Sequence, residues 1–321
     1  TDEELQGPLD AVMTEPQRKV FLETLEVDFA YEYGDVARFR VNLFHRMGHV
    51  GAVLRHIPIE IPTVDQLGLP EVLKELVQKK QGMILVTGPT GSGKSTSLAA
   101  MINELNGSSY RHIVTIEDPI EFVYSDDKCT INQRELGVDT LTPMRALKMA
   151  LRQDPDVILM GEMRDVETVE MGMAAAETGH ILMSTLHTND AKQTVERLLD
   201  MFPPDKIKQL RNLLSMTLLA VVSQRLLPKA DGSGRVAALE LMVMSPHIQE
   251  LIAEGHVQDI DEAIKNSDSF YKMQSFNQSL ARLVKEGLVT EDDAMATSSN
   301  PGDLRLMIRG ISMGSRGLSA G

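Results

Sequence analysis

The 321-residue sequence holds one cysteine and no tryptophan, and its aromatic content is 4%. A lone Cys129 can build neither a disulfide framework nor a Cys-based zinc site, which excludes a stapled secreted scaffold and fits a reducing cytoplasm. Long hydrophobic runs are missing as well. The greasiest stretch, residues 213–222, includes Ser and Thr and falls far short of the ~20 apolar residues that span a bilayer. From the opening residues no signal peptide is expected. Positive charge is in deficit: 32 Lys and Arg against 46 Asp and Glu leave a net charge of −14, which argues against a nucleic-acid motor unless the basic residues cluster. What is present is an ordinary globular composition, 42% hydrophobic and 24% charged, long enough for one large α/β domain and a smaller one. Nineteen methionines point to a core and interfaces filled by adaptable side chains.

The chain is organised around residues 83–96. An apolar, β-prone run of five leads into Gly88-Pro89-Thr90-Gly91-Ser92-Gly93-Lys94-Ser95-Thr96, and positions 88–95 fit G-x-x-x-x-G-K-[ST] without a mismatch. The glycines let successive backbone N–H groups turn inward around a phosphate, and a helix starting near Lys94 aims its positive end at the same place. In this loop Lys94 reaches the β- and γ-phosphates of a nucleotide and Ser95 holds Mg²⁺ through its hydroxyl.

In chain order, residues 16–25 read as a helix and 28–33, 37–44 and 51–55 as three strands, with a turn at Gly34-Asp35. This small α+β unit, residues 1–57, is expected to be incomplete at its start, since the chain opens on a charged stretch without an initiator methionine. Residues 58–66 read as a linker. From 67 to 244, a helix at 71–77 and the loop strand are followed by strands at 112–116, 156–160 and 181–185 alternating with helices at 143–152 and 166–177. That pattern predicts a parallel sheet covered by helices. Residues 205–227 read as one long amphipathic segment and 235–244 as a strand. Residues 245–311 are expected to be helical, with helices at 246–254, 276–286 and 291–296, and 312–321 to form a mobile tail.

Ligands in such sheets sit outside the carboxyl ends of the strands, and each strand ends in polar residues. Glu162 stands where a nucleotide hydrolase places its second acidic group, able to orient the attacking water; the alternative is a solvated strand-end acid. Glu117 and Asp118 end another strand, as site carboxylates or as part of an Asp-Pro turn. His187 follows the strand at 181–185 and either contacts a γ-phosphate or is structural; His180 has the weaker position. Arg40 and Arg55, fifteen residues apart, are either solvated strand charges or guanidinium groups that close on the nucleotide.

Positions 88–95, Thr115-Ile-Glu-Asp-Pro-Ile-Glu-Phe122, Gly161-Glu-Met-Arg-Asp165 and Glu177-Thr-Gly-His180 with Thr185-Leu-His-Thr-Asn189 resemble the Walker A, Asp, Walker B and His boxes of the secretion ATPase superfamily. Within it the chain is most similar to the type IV pilus retraction ATPases and their accessory paralogues. The resemblance implies a RecA-like P-loop ATPase domain, a small truncated PAS-like N-terminal domain and a helical C-terminal region. It assigns Glu162, Glu117, Asp118 and His187 to the site and matches Phe39-Arg40-Val41-Asn42 and Leu54-Arg55 to the family's two arginines.

It further implies ATP and Mg²⁺ as ligands, a homohexameric ring in the cytoplasm at the inner membrane, and an inner-membrane platform protein and a paralogous retraction ATPase as partners, with no nucleic acid. Assembly and secretion members carry a tetracysteine zinc module that one cysteine cannot make, which favours retraction over pilus assembly or type II secretion. Residues 245–255 depart from the retraction group's helical signature, so the main motor and an accessory paralogue both stand. A scaffold that binds ATP without turnover is the reading from another class.

Overall fold

The computed structural model describes residues 7–9, 11–34, 36–58, 60–267 and 271–311. Asp35 of the expected turn and the expected tail at 312–321 lie outside them.

Near the amino terminus, helix α1 (Glu15–Thr24) begins with a capping box in which the Thr14 N–H donates to Gln17 Oε1 at 2.8 Å. Leu25, in the left-handed conformation, ends it and turns the chain into an antiparallel meander of β1 (Glu26–Tyr33), β2 (Ala37–Arg46) and β3 (His49–Ile57). Alternation sorts this sheet. Val41 and Leu43 of β2 pack with Phe29 and with Phe21 of α1 in a small core, while Arg38, Arg40 and Asn42 lie on the other face.

The second sheet has seven strands, in the order β10 (Arg235–Val243), β9 (Leu218–Pro228), β4 (Gly82–Thr87), β8 (Ile181–Leu186), β7 (Val157–Met160), β5 (His112–Glu117) and β6 (Thr130–Glu135). Its central members, β4, β8 and β7, are buried along their whole length, as apolar strands covered on two faces must be. From β9 to β6 all neighbours pair in parallel, through β5 to the edge strand β6. The carboxyl ends of these strands therefore share one edge of the sheet. Helices α2 (Val72–Val77), α3 (Lys94–Ser108), α4 (Pro143–Ala150), α5 (Val166–Glu177), α6 (Ala191–Asp200) and α7 (Ile207–Thr217) belong to this layer. Further α-helices are α8 (Pro246–Glu254), α9 (Ile260–Asn266), α10 (Phe276–Lys285), α11 (Glu291–Thr297) and α12 (Pro301–Ile308). Phe276, Leu280 and Leu283 of α10, Ala294 of α11 and Leu304 of α12 close a separate core over Leu227 and Ala238.

The structure departs from the sequence reading in three places. Residues 205–227 are not one helical segment: α7 stops at Thr217 and Leu218–Pro228 is β9, wedged between β4 and the antiparallel β10 (Arg235–Val243). The run Leu218-Leu-Ala-Val-Val222 is buried almost throughout, and such a run carries no periodicity to tell a covered strand from a helix. The strand β6 was not anticipated, because its Thr-Ile-Asn-Gln-Arg-Glu sequence has the polar character of an edge. Val64, placed in the linker, is buried in the large core.

The two sheets meet through a buried ion pair. Arg38 on β2 places Nη2 3.7 Å from Glu135 Oε2 on β6 and Nη1 3.2 Å from Glu32. Glu135 also accepts from the Ile120 N–H at 3.0 Å, so the same carboxylate holds the loop after β5.

Candidate active site

One cleft of about 740 Å³ lies at the carboxyl edge of the large sheet, with the small sheet as its far wall. It brings together Lys94, Ser95, Glu117, Asp118, Glu162, His187, Arg40 and Arg55. These eight residues, picked out of the sequence from six separate segments, thus line a single space.

The loop after β4 runs through three glycines with positive φ at 88, 91 and 93. At Gly88 the requirement is absolute: a Cβ would stand 2.4 Å from the Gln224 backbone oxygen and 2.7 Å from Ser92 Oγ. Helix α3 then starts at Lys94 with no side chain capping its N-terminal N–H groups, whereas α4, α5, α6 and α8 are capped by Thr142, Asp165, Asp190 and Ser245. Uncapped donors and the helix dipole leave a place for an anion. Ser92 Oγ is buried without a hydrogen-bond partner. Lys94 folds back to donate to the carbonyls of Gly88 and Pro89, at 2.8 and 3.1 Å. Burial lowers its pKa, and Glu162 and Glu121 act against that shift.

Glu162 follows β7. Its Oε2 accepts from Arg164 Nε at 2.8 Å and its Oε1 lies 3.3 Å from His187 Nε2. That contact joins the ends of β7 and β8, and the Thr185 hydroxyl adds a 2.6 Å bond to the Gly161 carbonyl. Glu117 ends β5, where burial raises its pKa while bonds from Thr115 Oγ1 at 2.6 Å and Gln133 Nε2 at 3.3 Å oppose the rise. Asp118 follows it into the cleft.

From the other wall, Arg40 and Arg55 are cross-strand partners on β2 and β3. Asp28 on β1 holds the Arg40 guanidinium, with Nη2 to Oδ2 at 2.6 Å and Nε to Oδ2 at 3.1 Å, and this bond raises the arginine's pKa. His180 serves the backbone, its Nδ1 3.0 Å from the Ala175 carbonyl, and Cys129 is a buried thiol 3.0 Å from the Ser109 carbonyl.

Sequence reasoning missed Gln224, which reaches the loop from β9, and gave Arg164 no role although it stands two residues after Glu162. The oxygen donors in the cleft, Ser95 with the carboxylates of Glu117, Asp118 and Glu162, are the hard ligands that suit Mg²⁺. Among the described residues no three His, Cys, Asp or Glu side chains converge on a metal.

A family model described as "Type II/IV secretion system protein" matches residues 34–296. The chain is 48% identical over 290 residues to the "Type IV pilus retractation ATPase PilT" of Pseudomonas aeruginosa, covering 90% of this chain and 84% of that protein. It is 45% identical to the "Type IV pilus ATPase PilU" of the same organism, over 93% of this chain and 79% of that one. Among solved structures, that of the pilus retraction motor PilT with bound ADP superposes with a TM-score of 0.87 at 48% identity, covering 94% of this chain and 86% of that one. The chain belongs to the type II/IV secretion system protein family, as an ATPase of the type IV pilus retraction group.

Proposed function

We propose that the protein is a motor that hydrolyses ATP in this cleft and, as a homohexameric ring, drives pilus retraction. The observation that carries the reading is the convergence of Lys94, Glu162 and the Arg40–Arg55 pair on one space, with the arginines contributed by a different sheet from the phosphate loop.

In this reading Lys94 leaves the Gly88 and Pro89 carbonyls for the β- and γ-phosphates, and the loop's N–H groups surround them. Ser95 would hold Mg²⁺, which when bound neutralises charge on the phosphoryl oxygens. Glu162, steadied by Arg164 and His187, orients a water toward the γ-phosphorus and takes up its proton as the bond to the bridging oxygen breaks and ADP leaves. Arg40 and Arg55 meet the charge developing on the transferred phosphoryl group and draw the small sheet down. Because the arginines grip the triphosphate and lose their partner once phosphate departs, ATP binds the closed arrangement more tightly than the open one, as a ligand-driven movement requires.

Repeated around a ring, the closure displaces a platform protein at the inner membrane, where the chain acts as a peripheral subunit. Among the described residues no helix is long and apolar enough to cross a membrane. Similarity to the protein named PilU favours a second reading, an accessory paralogue that works beside a main retraction ATPase.

Steady-state ATPase activity measured against protein concentration, with mass determined in parallel and Lys94→Ala as the blank, tests the proposal. A specific activity that rises as a sixfold mass appears supports the ring motor. Nucleotide binding with no turnover at any concentration contradicts it.

A further inference from the structure

We propose that Gln224 is a positioning residue for the phosphate loop, fixing from β9 which way the loop's peptide groups face. This rests on the reading of the cleft as the ATP site.

Gln224 is 1% exposed. Its placement follows from register: Thr87, the last residue of β4, pairs in parallel with Ser223, and the two hydroxyls bond at 2.9 Å. The next residue on β9 therefore lies beyond the end of β4, against the loop that leaves it. There Gln224 meets the loop at two points and the first turn of α3 at a third. Its Nε2 donates to the Ser92 carbonyl, its Oε1 accepts from Ser97 Oγ at 2.9 Å, and its backbone oxygen closes the space where any side chain at position 88 would go. A trans peptide carries its C=O and the following N–H on opposite sides. Drawing the Ser92 carbonyl out toward β9 therefore turns the Gly93 N–H toward the inside of the loop, where phosphate oxygens bind.

The amide suits this task in a way its analogues do not. It offers a donor group and an acceptor at once and carries no charge to compete with the anion. Glutamate would set a carboxylate oxygen against the Ser92 carbonyl, and leucine would leave both Ser92 O and Ser97 Oγ without partners. The strand is held from its other side as well. Arg225 Nη1 donates to the Thr297 carbonyl at 2.7 Å, and the guanidinium lies 4.4 Å from the Phe276 ring centroid, so β9 is pinned between the loop and the C-terminal helices.

The test is ADP affinity by calorimetric titration, with ATP turnover, for the full chain and for Gln224→Leu, Gln224→Glu and Ser97→Ala. Gln224→Leu is expected to weaken ADP binding about tenfold and to raise KM for ATP by a similar factor, because an interaction that shapes the loop acts on ground state and transition state alike. Turnover at saturating ATP falls by less than about threefold. Ser97→Ala, which leaves the Ser92 bond in place, weakens ADP binding about threefold.

A folded Gln224→Leu with a lower melting temperature and parental ADP affinity overturns the proposal, since packing alone would explain it. Should that variant not fold, parental ADP affinity in both Gln224→Glu and Ser97→Ala overturns it equally. The parent and Lys94→Ala separate the two levels of the argument: a parent that binds no ADP removes the site itself.

Discussion

Arg40 and Arg55 stand directly opposite each other on neighbouring antiparallel strands, with Asp28 gripping the first of them. Two like charges in a cross-strand pair destabilise a sheet. A sequence that keeps them on the face turned toward the phosphate loop places positive charge where a triphosphate would receive it, and Asp28 offsets part of the repulsion until then.

Asp28 consequently competes with nucleotide for Arg40. Asp28→Asn is expected to lower KM for ATP by about two- to fivefold, the scale of a half-exposed ion pair. Steady-state kinetics at low ionic strength reads the change. A raised KM would show instead that Asp28 holds the guanidinium in its working position.

Glu162 is the only carboxylate in the cleft that the structure ties to both Arg164 and His187 among the described residues. Glu162→Gln keeps the shape and removes the base, so kcat is expected to fall by about 10²–10⁴. ADP affinity, measured by the same titration, should stay within about threefold because the phosphate loop is untouched. Equal losses in binding and turnover would assign Glu162 to ground-state binding.

Away from the cleft, Glu240 on β10 is buried and accepts from the Ala191 N–H that opens α6, 2.8 Å away; burial raises its pKa to about 7. Below pH ~4.5 the carboxyl is protonated in both folded and unfolded chains and contributes nothing. Between pH ~4.5 and ~7 the unfolded chain ionises while the folded one keeps its proton, so folding loses stability as pH rises, and the full penalty applies above ~7. Glu240→Gln retains the acceptor and removes the titration. Denaturant unfolding at pH 5 and pH 8 should show the variant gaining up to about 3 kcal/mol over the parent between the two. An unchanged difference would mean that the carboxyl ionises normally in the folded chain.

Much of the site was legible because it is written locally. The phosphate loop, Glu117-Asp118, Glu162 and His187 each close a strand whose apolar run is visible in sequence, and parallel pairing carries their ends to one edge. Arg40 and Arg55 needed the family resemblance, since nothing in their spacing shows that β2 and β3 set them opposite each other. Gln224 was hidden for two reasons: it bonds to a loop 132 residues away, and its strand follows α7 within an apolar run that reads equally as helix. Polar β6 was hidden by lying at an edge, and with it the Arg38–Glu135 contact between the sheets.

The central claim is that arginines from the small sheet complete the hydrolytic site. Single-turnover hydrolysis of bound ATP by an Arg40→Lys, Arg55→Lys double variant tests it most directly, because lysine keeps the charge and loses the forked contact. The account predicts that ATP still binds and that its hydrolysis slows at least about tenfold. Hydrolysis of bound ATP at the parental rate would contradict it.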